Sequence, residues 1–87
     1  MITKTENMLK YEKIHDECRE IFKSDVNIEE KLNRFNSYLS DRLNDDDNGT
    51  MRTLLVIGKP FKNNPIVKDN LEFLADRLRK KLNVDFI

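Results

Sequence analysis

The sequence has little of the chemistry from which catalytic and metal sites are built. Its 87 residues include one cysteine, one histidine and no tryptophan. Cys18 cannot form an internal disulfide, which is typical of proteins in a reducing compartment. A closed zinc site needs four ligands, and His15 and Cys18 have no further histidine or cysteine to join them. The sequence therefore predicts neither a metal site nor a cofactor.

Long apolar runs are missing as well. The longest aliphatic run is Leu54–Ile57, far short of the roughly 20 residues that span a bilayer. Residues 1–13 contain no apolar stretch of the length found in signal peptides. We therefore expect a cytoplasmic protein with no membrane contact.

Catalytic constellations are not evident either. His15 is the single histidine that could act as a base for Cys18 or a serine, and no serine has the sequence context of a nucleophile elbow. Neighbouring carboxylates occur at Glu29-Glu30 and at residues 45–47, where an exposed helix start and an exposed turn leave nothing to exclude water. An EF-hand register for the aspartate run places Leu55 where a bidentate glutamate is required. We predict a protein that is not an enzyme.

Charge is abundant and unevenly distributed. The chain carries 16 basic and 16 acidic residues, but residues 1–50 have a net charge of −4 and residues 51–87 a net charge of +4. Such asymmetry steers a charged partner or pairs two copies head to tail, and it also arises by chance in small charged proteins. Hydrophobic residues make up 38% of the chain, and so thin a core favours burial of further apolar surface in a homodimer.

Two apolar stripes with helical spacing occupy the first half of the sequence. The first stripe consists of Met8, Tyr11, Ile14, Cys18, Ile21 and Phe22. The second consists of Ile28, Leu32, Phe35, Leu39 and Leu43. Asn27 is a suitable cap for the second helix, with Glu30 in the capping-box position. The pattern predicts a helical hairpin over residues 1–44, closed by a turn rich in asparagine and aspartate.

The second half predicts a strand followed by a helix. Thr50–Gly58 contains the continuous apolar run of a strand buried on both faces. Asn64-Pro65 is a favourable helix start, and a third stripe runs from Val67 to Leu82. Residues 84–87 alternate and predict a short terminal strand. The expected fold is a single α+β domain over residues 1–87 in the order ααβα(β), with units 1–44 and 50–87.

The residues expected to bind a partner come from this second half. The loop after the predicted strand offers lysines and an aromatic side chain, the third helix ends in basic residues, and the terminal strand offers an edge. The residues predicted to bind the partner are Lys59, Phe61, Lys62, Arg77, Lys80, Lys81 and Phe86. Alternatively, the Phe61 side chain folds back onto the core. The basic residues at the end of the third helix also interact favourably with the helix dipole, which requires no partner.

These observations predict a small regulatory or inhibitory protein that acts by binding another protein. In its short length, its lack of catalytic groups and its abundance of asparagine, lysine and isoleucine, the chain resembles small regulators and inhibitors of phages and plasmids as a broad group. Two alternatives remain open. The basic second half could bind nucleic acid, with affinity that falls steeply with salt. The loop Gly58–Pro65 could sense an anion or nucleotide, because ligands bind where a buried strand leads into a helix N-terminus.

Overall fold

Four α-helices and one 3₁₀ turn make up the fold of the computed structural model, which describes residues 6–83. The helices are α1 (Glu6–Lys23), α2 (Ile28–Asp41), α3 (Asn48–Gly58) and α4 (Lys68–Leu82), and the 3₁₀ turn covers Lys59–Phe61. Helix α3 packs against both α1 and α4, and α2 packs against the same two helices. No strand occurs among these residues, so the part of the chain that is described is all-α.

The core lies where the four helices meet. Each helix contributes side chains that are almost fully buried, at the spacings of three and four that place them on one helical face. The buried apolar set is Ile14, Cys18, Leu32, Phe35, Tyr38, Leu39, Met51, Leu54, Val67, Leu71, Leu74 and Leu78. The helices predicted in the first half and near the end of the chain are present. The Asn27 side chain caps α2 by accepting a 2.8 Å hydrogen bond from the Glu30 backbone N–H.

The strand predicted over Thr50–Gly58 is wrong, because these residues belong to α3. Met51, Leu54 and Gly58 are buried at helical spacing, while Val56 in the middle of the run is 67% exposed. A run of aliphatic residues is compatible with either element, and local sequence alone does not separate them. The α+β fold class and the ααβα(β) order are therefore wrong for the described residues. The predicted strand at 84–87 and its candidate Phe86 lie outside them.

The start of α3 is set by Asp47. Its Oδ2 atom accepts hydrogen bonds from the Thr50 backbone N–H at 2.9 Å and from the Thr50 hydroxyl at 3.1 Å. The Tyr11 hydroxyl of α1 donates a third bond to the same atom at 2.8 Å. This hydrogen bond lowers the pKa of Asp47 below its ordinary value. An N-cap at Asp47 supplies the free amides of the first helical turn with an acceptor, which favours helix over strand in the residues that follow.

The two preceding aspartates connect the same segment to other helices. We call residues Asp45–Asp47 the aspartate turn. Asp45 pairs with Lys10 of α1 at 3.1 Å, while Asp46 pairs with Arg77 at 3.3 Å and with Lys81 at 3.2 Å, both on α4. A hydrogen bond from Lys81 lowers the pKa of Asp46. The turn thus attaches to α1, α3 and α4 through three successive side chains.

The Tyr11 contact depends on Gly49, and a double-mutant cycle tests this dependence. A Cβ atom on Gly49 would come within 2.7 Å of Tyr11 Cε1 and closer still to its hydroxyl, so the ring would have to swing away from Asp47. Tyr11→Phe is therefore expected to destabilise the wild-type chain and to have no further effect in Gly49→Ala. Urea unfolding of the four proteins measures the coupling. An equal cost of Tyr11→Phe in both backgrounds would contradict this geometry.

Candidate functional site

A groove of about 380 Å³ lies between the end of α3 and the first half of α4. Its floor lies where the two helices pack most tightly, because a Cβ atom on Gly58 would lie 2.6 Å from Cδ2 of Leu71. Gly58 and Leu71 are both buried and form the floor. The complete lining is Leu55, Val56, Gly58, Lys59, Lys62, Asn63, Leu71, Glu72 and Ala75.

The walls of the groove are aliphatic and its rim is charged. Leu55 and Val56 come from α3 and Ala75 from α4. Lys59 and Lys62 are exposed, and within residues 6–83 neither ammonium group takes part in an ion pair. Glu72 stands on the α4 side of the rim. The groove therefore combines aliphatic walls with two available positive charges from the 3₁₀ turn and one carboxylate from α4.

The 3₁₀ turn positions the two lysines. Lys59 and Lys62 are three residues apart, and the Lys62 backbone N–H donates a 3.3 Å hydrogen bond to the Lys59 carbonyl. Side chains three residues apart in a 3₁₀ helix lie on the same side of it, because the turn contains three residues. This arrangement explains why both lysines reach the same groove.

Phe61 faces the opposite direction and anchors the turn. Its ring stacks on Phe22 of α1 with centroids 5.2 Å apart and planes 12° apart, and Phe22 in turn contacts Phe35 at 5.3 Å. Of the two alternatives that the sequence left open for Phe61, the contact with the core is the one observed. The ring thus holds the 3₁₀ turn against α1, whose Phe22 in turn contacts α2.

The basic residues of α4 do not join the groove. Arg77 donates hydrogen bonds to the Leu43 carbonyl and to Asp46, and Lys81 donates to the backbone and side chain of Asp46. Lys80 is exposed on the same helix. Of the candidates within residues 6–83, the structure brings together Lys59 and Lys62, while Arg77 and Lys81 hold the aspartate turn.

The loop before α4 differs from the helix start that was predicted at Asn64-Pro65. Helix α4 begins at Lys68. The Asn64 side chain instead accepts a 2.9 Å hydrogen bond from the Ile66 backbone N–H. The Asn64 backbone carbonyl accepts hydrogen bonds from the backbone N–H groups of Val67 and Lys68. A 3₁₀ turn and a capped turn thus separate α3 from α4, so the strand-to-helix step on which an anion site was predicted does not exist here.

Cys18 and His15, the two residues with nucleophilic or metal-binding side chains on α1, do not form a reactive site together. Burial raises the pKa of the Cys18 thiol to about 11, so the side chain is a neutral member of the core at physiological pH. His15 is exposed on the same helix. Across residues 6–83, no three or more His, Cys, Asp or Glu side chains are grouped so as to hold a metal ion. Over the same range, no helix has the length and apolar character required to cross a bilayer.

Sequence reasoning missed the aliphatic half of the groove. The apolar run predicts a buried strand for Leu55 and Val56, and no motif in the sequence marks Ala75 as a site residue. A signal is nevertheless present, because Gly58 and Ala75, the single alanine of the chain, are small residues that allow close approach of another element. The pairing of the two positions, however, depends on how α3 and α4 pack.

Comparison of the chain with protein-family models, curated proteins and solved structures finds no match. The groove and the charges around it are therefore the features of the described residues that bear on function.

Proposed function

We propose that this protein is a small, non-enzymatic regulator or inhibitor that acts by binding another protein through the groove between α3 and α4. The observation that carries the proposal is the combination of an aliphatic groove with two unpaired lysines on its rim. Apolar surface surrounded by charged groups is the usual composition of a protein–protein contact.

A protein partner fits this surface better than a nucleic acid does. Nucleic-acid binding requires a face of available basic groups that can neutralise phosphates. Arg77 and Lys81 are engaged by Asp46, Arg79 pairs with Asp76 at 2.8 Å, and the chain as a whole is neutral. The floor and walls of the groove offer aliphatic carbon, which favours the side chains of a protein over a phosphate backbone.

Charge reversal at the rim tests the proposal. Three tagged proteins are immobilised and then incubated with lysate of the native host, with and without nuclease. They are the wild type, the variant Lys59→Glu/Lys62→Glu and a control variant, Lys13→Glu/Lys23→Glu. The control has the same change in net charge, but its two exposed lysines lie on α1, outside the groove. We expect a discrete protein that resists nuclease, is retained by the wild type and the control, and is lost with Lys59→Glu/Lys62→Glu.

The other outcomes are equally informative. Retained material that nuclease removes would favour the nucleic-acid alternative, and Lys80→Glu would then be the next variant. A protein that all three baits retain equally would show that binding occurs away from the groove. Sedimentation of the wild type over a range of concentrations tests the predicted homodimer separately.

A further inference from the structure

We propose that the groove selects a segment of the partner that carries an aliphatic side chain together with a carboxylate, and that it binds this segment in one orientation. The inference rests on the proposed function, because it specifies the chemistry that the same groove recognises. It follows from the distribution of apolar and charged groups around the groove.

The aliphatic requirement comes from the floor and walls. Gly58 and Leu71 close the bottom, and Leu55, Val56 and Ala75 line the sides, so this part of the groove is aliphatic; the polar lining residues Asn63, Lys59, Lys62 and Glu72 are all exposed. A polar group placed there would lose its water without gaining a partner, which is costly. Val56 is 67% exposed, so a side chain lying beside it removes aliphatic surface of both molecules from water.

The carboxylate requirement comes from Lys59 and Lys62. The 3₁₀ turn presents both ammonium groups on one side of the groove, and within the described chain no acidic side chain neutralises them. A carboxylate between them would satisfy two donors at once, and partial exclusion of water by the aliphatic walls would strengthen the attraction.

The orientation comes from Glu72. This exposed carboxylate belongs to α4, whereas the lysines belong to the 3₁₀ turn and its C-cap, which follow α3. A partner whose acidic residue approached from the α4 side would meet a like charge, which disfavours that arrangement. The same carboxylate would also repel the phosphates of a nucleic acid lying along the groove. The partner segment should therefore place its carboxylate over Lys59 and Lys62 and its aliphatic side chain over Gly58 and Ala75.

The sequence allows the groove to be observed directly by NMR, because few residues give the signals that are needed. Ala75 is the single alanine, so protein labelled with ¹³C-methyl alanine gives one methyl signal, and this signal comes from the wall of the groove. The two glycines give amide signals from the floor, at Gly58, and from the far end of α3, at Gly49. The probes are synthetic helical peptides with two leucines and two glutamates on one face. Matched peptides replace the glutamates with lysine or the leucines with serine.

We expect the glutamate–leucine peptide to shift the signals of Ala75 and Gly58 and to leave Gly49 unchanged. Its affinity should exceed that of the lysine and serine peptides at least tenfold. Lys59→Glu/Lys62→Glu should reverse the preference and favour the lysine peptide, while Glu72→Lys should increase the affinity for the glutamate peptide. Ala75→Arg fills the groove without altering its lysines and should abolish binding of every peptide. Circular dichroism and thermal unfolding verify that each variant remains folded.

Several results would overturn the inference. Equal binding of the glutamate and lysine peptides would remove the carboxylate requirement, and equal binding of the serine peptide would remove the aliphatic one. A shift of the Ala75 signal with protein concentration alone would identify a second copy of the chain as the occupant. If the captured partner depends on Lys59 and Lys62 but no glutamate–leucine peptide binds, the chemical specificity is wrong while the proposed function stands.

Discussion

Leu54→Ala is expected to lower the free energy of unfolding by about 2–5 kcal/mol, the range for leucine truncation in a packed core. The Leu54 side chain is fully buried on the inner face of α3, among residues from the other helices. A chain of 87 residues has a total stability of about 4–13 kcal/mol. Leu54→Ala should therefore unfold a large part of the population in mild denaturant, which urea titration followed by far-ultraviolet circular dichroism would measure.

Val56→Ala is the matched control, two residues further along the same aliphatic run. Val56 is 67% exposed, and alanine is the better helix former by about 0.5 kcal/mol. We expect this variant to be as stable as the wild type or slightly more stable. If residues 50–58 formed a strand buried on both faces, both substitutions would destabilise the protein. A loss of stability in Val56→Ala similar to that in Leu54→Ala would contradict the helical assignment.

Asp47→Ala is expected to lower the free energy of unfolding by about 1–2 kcal/mol, the usual cost of losing a helix N-cap. The carboxylate accepts hydrogen bonds from Thr50 and from the Tyr11 hydroxyl, so its removal affects the start of α3 and the contact with α1. Asp25→Ala is the control, since Asp25 is an exposed residue between α1 and α2 and such surface changes usually stay within about 0.5 kcal/mol. Equal stability of the two variants would contradict the capping role.

The effect of Asp47→Ala should also depend on pH. The hydrogen bond from Tyr11 is the main reason that the pKa of Asp47 is lowered in the folded protein. Its stabilising contribution is therefore complete above the pKa of an unfolded aspartate, about 3.9, and is lost as the pH falls through the folded value. We expect the difference in stability between wild type and Asp47→Ala to be constant from about pH 7 to 5 and to shrink below about pH 4. Urea unfolding at a series of pH values measures this difference.

The extent to which the sequence predicted the fold depended on how much each segment revealed locally. Helices α1, α2 and α4 have long stripes of well-separated apolar residues, and such periodicity identifies a helix by itself. Helix α3 is short, and four consecutive aliphatic residues do not reveal which of them are buried. In the structure Leu54 faces the core and Val56 faces solvent. The start signal was present at Asp47, but as the last of three aspartates it is indistinguishable from the turn that precedes it.

The candidate site was predictable in its charges and unpredictable in its shape. Lys59 and Lys62 were identified because a loop containing lysines between two apolar segments is visible in the sequence. The groove brings Gly58 and Ala75 together through the packing of α3 against α4, and no local pattern determines that packing. Similarly, Arg77 and Lys81 looked available until packing placed Asp46 beside them.

The contacts of the aspartate turn determine where this chain tolerates an inserted tag or a circular permutation. Exposed polar loops are normally the first choice for inserting an affinity tag or for moving the termini by circular permutation. Here the link between α2 and α3 forms ion pairs and a hydrogen bond with side chains of α1 and α4, namely Lys10, Tyr11, Arg77 and Lys81. An insertion at residues 45–47 would detach one end of α3 and loosen α1 and α4 in the same step. The exposed bend around Asp25 makes fewer connections and is the better place to open the chain.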